Sequence, residues 1–232
     1  MSITVADVIN LTRESVLDDY DAQKYLWSDT ELIWLLNRAY NELVKSALNI
    51  KDETTVAITR ISLLANIGVY ALDSRIIQVT DARLLTDGGT LVRTTEARLD
   101  KTSAEWRDDT GTPTEYCPGA YSGYLTIHPK FLTETDTLVM TVNRLATARF
   151  TTADITAKTV ISDIRQDHID GLADGIAKRA YLKPDTYTYY PQKAEYHKKE
   201  FEEFKKEVRR DMILLHKPDK TRVPRSGSSI WY

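Results

Sequence analysis

The chain has 232 residues, is 42% hydrophobic and 28% charged, and carries a formal net charge of −3. That length supports one substantial core with room for an insertion, while near neutrality argues against a general nucleic-acid coat and leaves a local basic patch open. A single cysteine (Cys117) excludes an intrachain disulfide, and the histidines His128, His168, His197 and His216 lack zinc-ligand spacing.

No segment approaches the roughly 20 apolar residues that span a bilayer. The N-terminus lacks the basic-then-apolar pattern of a secretory signal. The expected setting is a reducing cytoplasm. Tyrosine is frequent (13) and phenylalanine rare (4). Tyrosines of this kind are either half-buried core residues or interface residues.

The first predicted helix covers about residues 5 to 18. Thr4 caps it, and Val5, Val8, Ile9, Val16 and Leu17 share one side. Asp18, Asp19 and Asp21 follow. They lack the glycine turn and distal glutamate of a calcium loop, so a solvated turn is expected. The second helix starts at Ser28-Asp29-Thr30-Glu31, a capping box, with Trp27 and Leu32 placed as a hydrophobic staple. Leu32, Leu35, Leu36, Ala39, Tyr40, Leu43, Val44 and Ala47 continue as an apolar stripe to about Leu48. The two helices read as an αα-hairpin.

The period then changes. Thr55–Thr59 reads as a short β-branched strand, and Val69–Leu72 is ambiguous. Ile76–Leu85, the turn Asp87-Gly88-Gly89 and Thr90–Thr95 read as a hairpin. The glycines match neither the dinucleotide nor the Walker pattern. Glu96–Trp106 is weakly helical or irregular. Gly111–Pro118 reads as an edge strand because of its prolines. Tyr124–His128 and Thr137–Leu145 alternate as strands.

Helix returns at Asp163, which forms a capping pair with Gln166. Ile169, Leu172, Ala173, Ile176, Ala177, Ala180 and Tyr181 form its stripe. Gly171 and Gly175 each weaken this helix by about 1 kcal/mol relative to alanine; they either permit close helix approach or are incidental. A last helix runs from near Pro191 to about Leu215, with Ala194, His197, Phe201, Phe204, Val208, Met212 and Leu215 on one side. His197 on that stripe reads as a packed histidine. Lys198, Lys199, Lys205, Lys206, Arg209 and Arg210 lie among glutamates on the other faces, which reads as a solvated face with intrahelical pairs. In an assembly the same face would meet a channel or a neighbouring subunit.

Residues 217–232 show no helical pattern and carry Lys217, Lys220, Arg222 and Arg225 against Asp219. Flexible Ser226–Ser229 leads to Ile230-Trp231-Tyr232. Such a terminus is either a disordered tail or, as a basic, flexible stretch with an aromatic anchor, a segment that folds on binding, and extended it reaches roughly 50 Å at about 3.3 Å per residue. The expected fold class is α+β: a mainly helical bundle of four main helices, a β-rich insertion in the middle and an extended C-terminal tail. The expected divisions are an N-terminal helical hairpin (1–50), the insertion (51–160), C-terminal helices completing the bundle (161–216) and the tail (217–232).

No nucleophile elbow or His-Glu-x-x-His occurs, and Pro118 follows Cys117 with no histidine nearby. Glu105 with Asp108 or Asp109, beside Trp106, is the nearest approach to a glycosidase pair, and its separation is not readable from sequence. No enzyme, metal or cofactor is expected.

Taken in order, the chain resembles the head-to-tail adaptor (connector) family of short-tailed phages. Trp27-Ser28-Asp29-Thr30-Glu31-Leu32-Ile33-Trp34-Leu35-Leu36-Asn37-Arg38-Ala39-Tyr40 is similar to the family's Trp-Ser-Asp, Glu-Leu, Leu-Asn-Ala helix. Tyr70-Ala71-Leu72, Thr114-Glu115-Tyr116, His128-Pro129, the alanine-rich helix Ile169–Tyr181 and the long helix around His197 and Phe201 extend the resemblance along nearly the whole chain. Asp73 stands where the family often has proline, a difference confined to a loop.

The resemblance implies a structural virion protein of the neck, assembled in the host cytoplasm as a homo-oligomeric ring, usually a dodecamer, below the portal protein. The helices would surround a channel through which genomic DNA passes non-specifically. The β-rich insert would meet a downstream nozzle or tail-tube protein or neighbouring subunits. Arg222, Arg225, Ile230, Trp231 and Tyr232 would dock the tail on the portal. No membrane is involved. Two other functions fit the sequence: a nucleic-acid-binding module using the basic last helix, and a neighbouring neck or tail-completion ring protein.

Overall fold

The computed structural model describes residues 2–19, 25–48, 50–86, 88–119, 122–133, 135–146, 149–162, 164–185 and 187–215. The fold is α+β. Helix α1 (Val5–Leu11) starts at a capping box in which Thr4 and Asp7 exchange hydrogen bonds, and a π-helical turn (Thr12–Leu17) continues it. Helix α2 (Asp29–Leu43) starts at the Ser28–Glu31 capping box and also ends in a π-helical turn, Val44–Leu48. Trp27 and Leu32 are both buried in one core, as a staple requires.

The strands follow: β1 (Ile50–Asp52), β2 (Arg60–Leu63), β3 (Val69–Ala71), β4 (Ile76–Leu84), β5 (Val92–Arg93), β6 (Glu115–Pro118), β7 (Tyr124–His128) and β8 (Asp136–Arg144). Short helices interrupt them: α3 (Val56–Thr59) and α4 (Glu96–Thr102). Then come α5 (Thr152–Ala157), a 3₁₀ turn (Gln166–His168), α6 (Leu172–Ala180) and α7 (Pro191–Leu215).

Strand β8 organises the first sheet. Its Arg144–Val142 end pairs with β1 and its Val139–Asp136 end with β2, both antiparallel, while β4 runs antiparallel along its whole length. Because β4 shares partners with β1 and with β2, those two short strands line one edge of β8 and β4 lines the other. Leu138, Val139, Met140 and Val142 are all buried, as expected of a central strand covered on both sides. The second sheet has the order β3-β7-β6-β5, antiparallel except for the parallel β5–β6 pair.

Several expectations change. Thr55–Thr59 is a helical turn, because Asp52 Oδ1 accepts from the Thr54 and Thr55 amides at 2.8 and 3.0 Å. Thr59 Oγ1 also donates to the Thr55 carbonyl at 3.0 Å. This local side-chain bonding displaces a sheet ladder. The hairpin after β4 closes through Leu84–Gly89 and Leu91–Ala82 backbone bonds with Gly88 at φ 63°, but its return strand crosses to the second sheet as β5. Segment β6 is flanked by β7 and β5, so it is not an edge strand. Asp19 is buried instead of solvated, and it takes the Arg13 guanidinium at 2.6 Å. Helix α6 begins at Leu172, after the 3₁₀ turn, and Gln166 accepts from the Ile3 amide. Asp21, Asp87, Asp163 and the tail 217–232 lie outside the described residues.

Two clusters of buried side chains fill the molecule. One holds buried residues of α1, α2, α6 and α7, among them Val8, Leu36, Ile176 and Phe201; the other lies between the two sheets, around Leu63, Tyr116, Leu125, Leu138 and Met140. Chain directions in the helical part are set by its contacts. Val16, at the end of the α1 segment, accepts from the Tyr181 hydroxyl, and Trp27, ahead of α2, donates to Ala180 O. Val5 meets Thr159, ahead of α6. Thus α1 runs with α6, and α2 runs against it.

Candidate interaction surfaces

The seam of α2, α6 and α7 is the tightest in the helical part. A Cβ on Gly175 would lie 2.7 Å from the Phe201 ring and 2.8 Å from Ala39 Cβ, and one on Gly171 would meet the Phe204 ring. The glycines therefore permit close approach. His197 Nδ1 lies 2.8 Å from Asp174, and its ring stacks on Tyr181 at 5.6 Å; His168 Nε2 lies 3.3 Å from Asp211. Each histidine ties α7 to the α6 segment.

Above that seam sits Glu42 of α2. Its carboxylate accepts from Lys178 at 2.8 Å, Arg179 at 3.0 Å and Lys205 at 3.0 Å. Burial alone would raise its pKa, but the hydrogen bonds from Lys178, Lys205 and Arg179 and the positive charge of Lys178 outweigh that and bring it to about 2. Burial pulls the Lys178 ammonium down despite its partner. One carboxylate is shared by three cations, of which Lys205 also pairs with Glu202 at 2.7 Å. Arg38, Asn41, Lys45 and Arg179 line the shallow groove beside Glu42.

The basic residues of α7 separate into two kinds. Lys205 is turned inward, its side chain 12% exposed between Glu42 and Glu202. Lys198 is exposed and pairs with Glu195 at 3.2 Å. Lys199, Lys206, Arg209 and Arg210 are exposed, and the last three border a depression with the exposed Ile213 and Leu214. Arg222, Arg225, Ile230, Trp231 and Tyr232 lie outside the described residues.

Exposed aromatic area gathers where the α1–α2 and α6–α7 connections meet. Tyr25, Trp34, Tyr187, Tyr189, Tyr190 and Tyr196 are exposed, whereas Tyr40, Tyr70, Tyr116 and Tyr181 are buried. Lys183 bridges the two connections through the Leu26 carbonyl at 3.0 Å and Glu31 at 2.9 Å. Trp34, Leu35, Arg179, Leu182 and Pro184 line a groove there.

The carboxylates near Trp106 serve as charge partners. Asp109 faces His128 at 3.3 Å, Asp108 lies 3.6 Å from Lys130, and Trp106 donates to Asp100 at 2.8 Å. Among the described residues no group of three or more His, Cys, Asp or Glu side chains is placed to hold a metal ion.

Sequence reasoning missed Glu42, Lys178 and Arg179. A signal existed: Glu42 lies between Tyr40 and Leu43 on the apolar stripe of α2, and Lys178 interrupts the small-residue face of α6. A charge inside a stripe calls for an opposite charge across the seam.

A family model described as SU10 adaptor protein matches residues 3–223. No curated protein matches the chain.

Proposed function

We propose, because the chain belongs to the SU10 adaptor protein family of phage head-tail adaptors, that it forms a ring beneath the portal that joins head to tail and continues the DNA channel. The nearly full-length family match carries this function. Family membership implies a structural protein of the virion neck that associates with portal and tail proteins and oligomerises. A dodecamer with the helices around the channel is the arrangement we favour, with the strand-rich middle towards the tail. The cations exposed on α7, Lys198, Lys199, Lys206, Arg209 and Arg210, are then free to face the channel or a neighbour. Repeated weak contacts around a ring add through multivalency, so no single subunit needs to bind tightly.

The tail 217–232 is the proposed portal anchor, with Trp231 and Tyr232 seated in apolar pockets and Arg222 and Arg225 on acidic portal groups. The test is size-exclusion chromatography with light scattering on the chain alone and mixed with the portal protein from the same genome. A ring-sized complex that disappears when Arg222–Tyr232 is deleted is expected. Unchanged binding after that deletion removes the anchor. A chain that ignores the portal and shifts with DNA, with steep salt dependence, replaces the adaptor role with nucleic-acid binding through α7.

A further inference from the structure

We propose that neighbouring copies meet through two faces of the helical part: the acidic outer face of α1 on one copy and the cationic outer face of α2 and α6 on the next. The inference deepens the ring assembly proposed above and rests on it. It names which surfaces make the ring.

The first face consists of the exposed residues Asp7, Leu11, Glu14 and Asp18. Arg13, the cation within this stretch, is buried on Asp19 and Asp29. Lys158 lies near the Asp7 end. Glu14 and Asp18 have no ion pair with any described residue. The second face consists of Trp34, Arg38, Asn41 and Lys45, with Arg179 alongside. Trp34 is 57% exposed and carries the Arg38 guanidinium over its ring at 4.6 Å. Among the described residues neither Arg38 nor Lys45 has a carboxylate partner. Arg179 spends one nitrogen on Glu42, and its buried Nε has no acceptor.

The two faces share one spacing. Asp7, Leu11, Glu14 and Asp18 fall at i, i+4, i+7 and i+11, and so do Trp34, Arg38, Asn41 and Lys45. Each series begins on an α-helix and runs into a π-helical turn; Lys45 lies within its turn, while Asp18 caps the end of its own at φ 54°. Within one copy α1 and α2 run in opposite directions. A ring axis along the helices preserves direction from copy to copy, so α1 of one copy also meets α2 of the next antiparallel. In that register Asp7 faces Lys45, Leu11 faces Asn41, Glu14 faces Arg38, and Asp18 falls at the Trp34 end, where Arg179 and Lys183 line the groove.

A contact between two different faces of the same chain is heterologous, and it closes into a ring when its rotation permits. The exposed apolar area of Trp34 and Leu182 favours a protein surface over a phosphate backbone as occupant. Exposed charge pairs are individually weak, which suits a ring that assembles cooperatively on a platform.

The test is oxidative cross-linking of the full chain carrying Glu14→Cys together with Arg38→Cys; native Cys117 is 4% exposed and stays out of the reaction. Expected is a ladder of covalent multimers on a non-reducing gel, from the chain alone at high concentration or assembled on the portal. Either single variant should give nothing beyond a dimer, and Glu14→Cys with Lys206→Cys should give no ladder. The exchange Glu14→Arg with Arg38→Glu should restore assembly that each single reversal weakens. A portal-bound ring of normal mass without the ladder overturns the inference and leaves the adaptor role standing. A ladder from a chain that ignores the portal leaves the contact standing and removes the adaptor role. No ladder under any condition overturns the contact, and so does protection of the Arg38→Cys thiol by duplex DNA in place of self-association.

Discussion

The helical part and the strand-rich middle are both stabilised by buried apolar clusters, yet they specify their structures in different ways. In the helical part, residues close in sequence share a face, so each stripe declares its own core. In the middle, β8 collects β1, β2 and β4, whose nearest ends lie more than fifty residues earlier. Its identity depends on partners that no local pattern reveals. Polar side chains then fix positions that the apolar pattern leaves open. Asp52 holds the Thr54–Thr55 turn and receives Arg144 Nε at 2.5 Å, with both side chains nearly buried.

The sharpest way to break the strand-rich part is therefore to remove a charge. Arg144→Ala strands a buried Asp52 carboxylate and should destabilise by roughly 3–5 kcal/mol, the usual cost of breaking a buried pair from one side. Urea denaturation measures it. If Arg144→Ala costs under about 1 kcal/mol, the pair is no clamp, and the apolar cluster alone holds the sheet.

In the helical part the corresponding break is steric. Gly175→Val places atoms where Phe201 and Ala39 already sit, and overpacking of this kind costs about 1–3 kcal/mol. The same denaturation experiment applies, with Phe201→Leu in the Gly175→Val background recovering part of the loss. No recovery would mean that the strain lies in the backbone and not at the ring.

These two variants mark what was legible. The stripes of α2 and α6 are buried as the period demands, because helix periodicity is a local property. Thr55–Thr59 reads as a strand because β-branched composition favours one, while the side-chain bonds of Asp52 and Thr59 make it a helical turn. The outer faces were least legible. Trp34 belongs to the motif that carries the family resemblance, yet it points outward. Asp19 reads like a loop aspartate, yet it is buried on Arg13.

A pH experiment sharpens the comparison at the seam. The folded Glu42 carboxyl sits at about 2, below its ordinary value of 4.5. Its contribution is present in full above about pH 4.5 and is lost as pH falls towards about 2. Glu42→Gln should be less stable at neutral pH by about 1–3 kcal/mol, since it leaves Lys178 with a weaker acceptor. The gap to the parent should close across that acid window. Parallel stability–pH curves would show that Glu42 is not titrating against its three cations.

The smallest effect is also the most discriminating. Lys198 and Lys205 carry the same sequence signature, a glutamate three residues earlier on α7. Their surroundings differ: the Lys198 side chain is 58% exposed, while Lys205 is 12% exposed and reaches across the seam to Glu42. Lys198→Ala should change stability by no more than about 0.5 kcal/mol, and added salt should erase even that. Lys205→Ala should cost several times as much and keep most of that cost in salt, because it removes both packing on Phe201 and a partner of Glu42. Equal costs for the two lysines would mean that the seam charge cluster adds nothing beyond ordinary intrahelical pairing, and that α7 is held to α6 by its phenylalanines against the α6 glycines and by the two histidine contacts.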